Sequence, residues 1–188
     1  MKGKLYVFSG PAGVGKGTIL KNAILKLPNM RFSVSCTTRS PRPGIDREGV
    51  TYHFIGEDEF RSRIAAGDFL EYADVHGHLY GTLRETVEKA LDEGSDIVLE
   101  IDVQGAKAVK EKMPEAVTIF VKPPSMEELV RRLKGRGSES EAEQALRLRN
   151  AEEELSHAEE YDHIVVNDLL DRAVNDFINI VMEHREEK

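Results

Sequence analysis

Residues 10–18, Gly10-Pro11-Ala12-Gly13-Val14-Gly15-Lys16-Gly17-Thr18, constrain this chain more than any other stretch. An apolar run, Leu5-Tyr6-Val7-Phe8, precedes them, and Ile19-Leu20-Lys21-Asn22-Ala23-Ile24-Leu25 follows with helical spacing of its apolar residues. Strand, glycine-rich loop and helix in that order are the setting a phosphate-binding loop requires. Glycines let the backbone curl so that successive N–H groups point at one anion. The helix N-terminus adds the positive end of its dipole, and Lys16 supplies a full charge for β- and γ-phosphates. In the common pattern Ser or Thr follows the lysine directly; here Gly17 intervenes and the hydroxyl is that of Thr18. A glycine turn that binds nothing has no use for strand, spacing and lysine together. The stretch predicts an α/β chain that binds a nucleoside triphosphate.

The 188 residues suit one compact α/β domain with room for a small inserted subdomain. A net charge of −8 argues against a bulk nucleic-acid binder but leaves room for a small anion held by locally concentrated cations. The single cysteine, Cys36, permits no internal disulfide and fits a reducing compartment. Met1-Lys2-Gly3-Lys4 leads straight into the first strand, without a secretory leader, and no apolar run approaches a membrane span. The expectation is a soluble, cytoplasmic protein.

Proline disfavours helix in the residue before it, so the first helix should end near Leu27-Pro28-Asn29. Phe32-Ser33-Val34-Ser35-Cys36 reads as one strand, and the Pro- and Gly-rich segment from Thr37 to Tyr52 as a loop. Within that loop Arg39 and Arg42, beside several hydroxyls, suit a clamp for a second phosphate, because guanidinium forks bind phosphate oxygens in pairs. A solvated surface loop is the competing reading, and its place after the second strand of a phosphate-loop chain argues against it. Glu57 to Ile64 reads as a short helix ending near Gly67; Phe69 to Val75 and the residues up to Thr82 read as two strands of a β-rich insertion. His76 and His78 lack the companions a metal site needs.

Leu83 to Glu93 is helical in spacing, and Asp96 to Asp102 is an apolar strand with acids at its C-terminal end. In an open parallel sheet that end faces ligands. Glu100 and Asp102 share one strand face, so one suits a magnesium shell and the other a nucleobase, against the plainer reading of solvated carboxylates. A helix ending before Pro114 and a strand at Val117–Val121 follow. Ser125 and Glu128 have capping-box spacing. Two charged helices then flank Gly135-Arg136-Gly137, the second bearing Arg147 and Arg149, in the manner of a lid that closes over phosphates. A last strand at His163–Asn167 and a closing helix complete the chain.

Taken together, these residues resemble the guanylate kinase family over essentially the whole length. The resemblance rests on the phosphate loop, on Ser33-Val34-Ser35-Cys36-Thr37-Thr38-Arg39-Ser40-Pro41-Arg42, Phe69-Leu70-Glu71-Tyr72 and Tyr80-Gly81-Thr82, and on Leu99-Glu100-Ile101-Asp102-Val103-Gln104-Gly105, Gly135-Arg136-Gly137 and Val165-Val166-Asn167. It implies a P-loop three-layer α/β fold with a parallel core sheet (1–34, 83–124, 161–188), a small β-rich GMP-binding insertion (35–82) and a helical lid (125–160). The implied reaction is phosphorylation of GMP by ATP with Mg2+. Ser35, Arg39, Arg42, Tyr52 and Tyr80 would hold the GMP phosphate; Glu71, Thr82 and Asp102 would read guanine. Lys16, Arg136 and Arg147, with the arginine pair, would serve the transferring phosphoryl; Asn167 would lie near adenine; Thr18 and Glu100, directly or through water, would serve the metal.

The chemistry agrees. Guanine offers N1–H and an amino group where adenine offers an acceptor, and carboxylates only accept. Two departures stand out. Ile45 occupies the place, after Arg-Pro-Gly, where the family usually has an acid, and the stretch between Gly44 and Gly49 is one residue longer than usual. Ala12 and Gly17 replace hydroxyl residues common in the loop. The rival readings are a kinase-like scaffold module that binds peptides without turnover, and another nucleoside monophosphate kinase. The intact loop opposes the first, and Glu71 with Asp102 opposes the second. The substrates would be ATP and GMP, dGMP acceptance being open, for a monomer or small homo-oligomer.

Overall fold

The computed structural model describes residues 2–75, 77–134 and 141–186. In chain order the elements are β1 (Leu5–Ser9), α1 (Lys16–Ile24), β2 (Met30–Phe32), β3 (Cys36–Thr37), β4 (His53–Phe54), α2 (Glu57–Ala66), β5 (Phe69–Val75) and β6 (His78–Leu83). They continue with α3 (Arg84–Asp92), β7 (Asp96–Glu100), α4 (Val103–Lys112), β8 (Val117–Lys122), α5 (Met126–Lys134), α6 (Glu141–Ser156), a 3-10 turn at Ala158–Glu160, β9 (His163–Val166) and α7 (Leu170–Glu186). A five-stranded parallel sheet runs β2-β7-β1-β8-β9, and a four-stranded sheet runs β4-β3-β6-β5.

The chain divides into two compact units: residues up to Tyr6 with Asn29–Leu99 and Gln104–Ala116, and Val7–Pro28 with Glu100–Val103 and everything from Val117. In the first, β2 pairs in parallel with β7, Met30 opposite Asp96. Its small sheet is antiparallel between β5 and β6 and buries Phe60 of α2 against Phe69, rings stacked at 4.4 Å, with Cys36 beside them. Gly81 is dictated by that packing, since a Cβ there would lie 2.9 Å from Phe69 and 3.0 Å from Phe60. Burial pushes the Cys36 thiol up, so it stays protonated and inert. The second unit packs α1 and α7, with Phe8 edge-on to Phe177 at 5.0 Å, and pairs β8 in parallel with β9.

The single strand expected over Phe32–Cys36 is instead two. The large sheet keeps Met30–Phe32 and the small sheet takes Cys36–Thr37, with Ser33–Ser35 as the crossing segment. Alternating apolar residues mark extended chain but not which sheet it joins. The second charged helix, whose pattern predicts a run from near Ser140 to near Glu160, ends at Ser156, where the chain tightens into the 3-10 turn. No helix among the described residues is long and apolar enough to cross a membrane.

Candidate active site

In the second unit the loop between β1 and α1 is shaped by glycine at two points. Gly10 has φ +141°, and a Cβ there would sit 2.5 Å from the Val121 carbonyl oxygen. Gly15 has φ +99° and opens α1; its Cβ would meet Asn167 Nδ2 at 2.5 Å. Both positions demand glycine on backbone and on space. Lys16 Nζ donates to the carbonyls of Gly10 and of Pro11, the latter at 3.2 Å, tying the ammonium to the loop. Burial lowers its pKa; Glu100, Glu154 and Asp102, in that order, draw it back.

Glu100 ends β7 with its carboxylate 3.4 Å from where a Gly17 Cβ would be. Its pKa is raised by desolvation and pulled down by Lys16 and Lys21. The carboxylate therefore lies at the first turn of α1, one residue from the exposed Thr18.

Two further residues complete this half, and the sequence patterns did not single them out as site residues. Glu154, on α6, accepts from the Ala12 N–H and faces Lys16; desolvation raises its pKa and Lys16 opposes that rise. A signal existed, for Glu154 lies three residues after buried Ala151 on the same helix, and so on the same face. The run Glu152-Glu153-Glu154 concealed it. Arg132 of α5 donates to the Asn167 carbonyl at 2.9 Å and the Val14 carbonyl at 3.3 Å, while Glu128 holds its Nε at 2.7 Å. Ser125 caps α5, its Oγ accepting from the Glu128 N–H at 3.2 Å, but the Glu128 carboxylate serves Arg131 and Arg132 and not a returning cap bond.

Asn167 itself is buried and donates from Nδ2 to the Val14 carbonyl at 2.8 Å, so its side chain braces the loop. Arg147 lies on α6 two turns before Glu154. Arg136 and His76 lie outside the described residues.

The first unit carries the other constellation. Arg39 Nη2 lies 2.9 Å from Asp46 Oδ2; Arg42 grips the same carboxylate through Nε at 3.0 Å and Nη2 at 3.1 Å, and its own backbone N–H donates to it at 2.8 Å. The Asp46 carboxyl is held far below the usual range, first by the Arg42 side chain and backbone and then by Arg39. Asp46 is the third residue missed. It stands one place after Ile45, so the longer loop displaces the expected acid by one position.

The Arg39 guanidinium lies 5.6 Å from the Tyr52 ring and 5.8 Å from that of Phe54, within cation–π range. Tyr52 and Tyr80 meet edge-on at 5.7 Å. A backbone bond from Gly49 N–H to the Tyr52 carbonyl at 2.9 Å, with Glu48 accepting from the Phe54 N–H, sets the register of Tyr52 after the longer loop. Arg39, Arg42, Tyr52 and Tyr80 thus form one cluster. Ser35, in the crossing segment, accepts from the His53 N–H at 2.9 Å through its carbonyl.

Glu71 and Thr82 sit opposite each other across β5 and β6, both buried, with Thr82 Oγ1 donating to Glu71 Oε1 at 2.6 Å. A carboxylate buried in this way accepts only, and an unpaired one is costly. The pair is suited to a ligand edge that donates.

The guanylate kinase family model matches residues 2–184. The chain is 51% identical over 185 residues to the guanylate kinase of Thermotoga maritima, covering 98% of this chain and 89% of that one. It is 50% identical over 184 residues to that of Symbiobacterium thermophilum, covering 98% and 87%. Its structure is similar to the crystal structure of guanylate kinase from Anaplasma phagocytophilum at a TM-score of 0.76 and 35% identity, covering 97% of this chain and 86% of the other. The phosphate loop, the arginine–tyrosine cluster and the buried Glu71–Thr82 pair therefore lie in a chain that belongs to the guanylate kinase family.

Proposed function

We propose that this chain transfers the γ-phosphoryl group of ATP directly to the phosphate of GMP, giving GDP and ADP. Family membership across residues 2–184 carries the reaction. A phosphate oxygen of GMP attacks the γ-phosphorus in line, and the bond from that phosphorus to the β–γ bridging oxygen breaks, leaving ADP. No general base is needed, because a phosphomonoester with a second pKa of about 6 is already mostly dianionic at pH 7. The protein's task is alignment and neutralisation of charge.

Gly10 to Thr18 would cradle the ATP phosphates with their N–H groups, and Lys16 would neutralise the γ-phosphoryl as it moves. Arg39, Arg42, Tyr52 and Tyr80, with Ser35, would hold the GMP phosphate; Asp46 keeps both guanidiniums in place beforehand, which reduces the ordering cost of binding. Glu71, oriented by Thr82, and Asp102 would accept from the guanine N1–H and amino groups. AMP offers no N–H donors in those places, a loss of about 1–3 kcal/mol for each hydrogen bond not made.

Arg136 and Arg147 would close over the transferring group. Asn167 would border the adenine while bracing Val14. Glu100 and Thr18 offer oxygen donors only, at the first turn of α1, which fits Mg2+, held directly or through water. When bound, that ion neutralises the β- and γ-phosphate oxygens. Both substrates are small and cytoplasmic, where we place the enzyme.

The test is ADP release with ATP and Mg2+, offering GMP, AMP, CMP and UMP separately. Turnover with GMP alone, extending to dGMP or not, is expected. Measurable GMP binding with no turnover on any acceptor would show a scaffold module instead.

A further inference from the structure

Glu71 shares a face with Thr82 because β5 is irregular just before it. Phe69 is paired with Leu83 and Glu71 with Thr82, so Leu70 is an extra residue with no opposite number on β6. Side chains alternate along a strand. A ladder continued from Phe69 without the bulge would set Leu70 opposite Thr82 and Glu71 opposite Gly81, on the other face. The bulge therefore aims the Glu71 carboxylate.

At a bulge the ladder is locally disrupted, and buried carbonyls there need partners from elsewhere. Phe69 and Leu70 are both buried. Lys112, the last residue of α4, meets both: its Nζ donates to the Phe69 carbonyl at 2.9 Å and to the Leu70 carbonyl at 2.8 Å. One ammonium thus spans the extra residue, with bonds stronger than those between neutral groups.

The end of α4 that carries this lysine is itself held. The Met113 N–H donates to the Val109 carbonyl at 2.7 Å, and the Ala116 N–H to the Met113 carbonyl at 2.9 Å. Lys110 Nζ donates to the Ala116 carbonyl at 2.8 Å, and the Val109 side chain is fully buried. Lys112, the bulge, Glu71 and Thr82 all belong to the first compact unit.

We propose, on the reading above that Glu71 accepts from guanine, that Lys112 is a positioning residue for GMP. It clamps the carbonyls of Phe69 and Leu70, keeps the bulge in register and so holds Glu71 beside Thr82 before the nucleotide arrives. Lys112 touches no substrate; its effect reaches guanine through Glu71.

The test is a double-mutant cycle on the full chain, followed by steady-state kinetics. Lys112→Met keeps the apolar stem and removes the donors. It should raise the GMP KM about tenfold, the lower end for a lost charged hydrogen bond, with kcat and the ATP KM within about twofold of wild type. In the Glu71→Ala background the same substitution should add less than about twofold, because the side chain it orients is gone. Lys112→Arg, which again offers N–H donors on a long stem, should recover most of the loss. An effect of K112M that is equally large with and without Glu71 overturns the positioning role. An unchanged GMP KM in K112M, beside a raised one in E71A, overturns it too and leaves the guanine reading standing. An unchanged GMP KM in E71A overturns that reading and the role of Lys112 together. Should K112M fail to fold, K112Q carries the same cycle and the same outcomes.

Discussion

Asp46 holds Arg39 and Arg42 with one carboxylate, and the consequence is visible in pH. Its folded-state pKa is depressed, so the stabilisation it gives is fully present above the unfolded value of about 3.9 and is lost as pH falls below it. Asp46→Asn should therefore lower Tm at pH 7, with the gap to wild type narrowing between pH 4 and pH 2. Melting both proteins across that range checks it; a constant gap would mean that ionisation of Asp46 plays no part. Glu71 is the second residue with a sharp expectation. Glu71→Ala should raise the GMP KM by about 10–100-fold, the worth of a charged hydrogen bond, and leave the ATP KM within about twofold. Equal rises in both would remove Glu71 from the guanine site. Thr82 Oγ1 would also lose its buried acceptor, so Tm should fall in the same variant.

At the scale of elements, α5 and α6 both reach the phosphate loop. Arg132 ties Val14 to Asn167 from α5, and Glu154 brings a carboxylate from α6 to Ala12 and Lys16. In each helix a partly buried charged residue makes the contact with the loop. Glu154→Ala should raise the ATP KM several-fold with the GMP KM unchanged, because the Ala12 N–H and Lys16 both lose an orienting partner. Glu154→Gln keeps an acceptor for that N–H without the charge and should recover part of the loss. Steady-state kinetics on the two variants separates hydrogen bond from charge; unchanged ATP KM in both would reduce Glu154 to a surface acid.

At the scale of the whole molecule, the large side chains on α7 and β1 set stability. Phe177 is fully buried and meets Phe8 edge-on. Phe177→Ala should cost about 3–5 kcal/mol, which lowers Tm by about 6–20 °C in a chain of this length. Thermal unfolding monitored by circular dichroism measures it. A loss below about 1 kcal/mol would mean that the neighbouring side chains collapse into the space.

Much of this was legible in local pattern. Gly10 to Thr18 between an apolar strand and an amphipathic helix implied a triphosphate site, because backbone curvature and charge there depend on adjacent residues alone. The helix stop at Gly67, the cap at Ser125 and the acids ending β7 were readable for the same reason. Other features needed the folded chain. Asn167 braces Val14 across 153 residues, Gly81 exists for two phenylalanine rings from other elements, and Asp46 was hidden by a one-residue shift in a loop without periodicity. Glu154 was one of three consecutive acids until packing turned it inward. Local spacing thus determined the elements and the phosphate chemistry, through forces that act within a few residues. Which polar side chains meet, and in which sheet Ser33–Ser35 hands the chain over, was decided by burial and distance, which only tertiary structure sets.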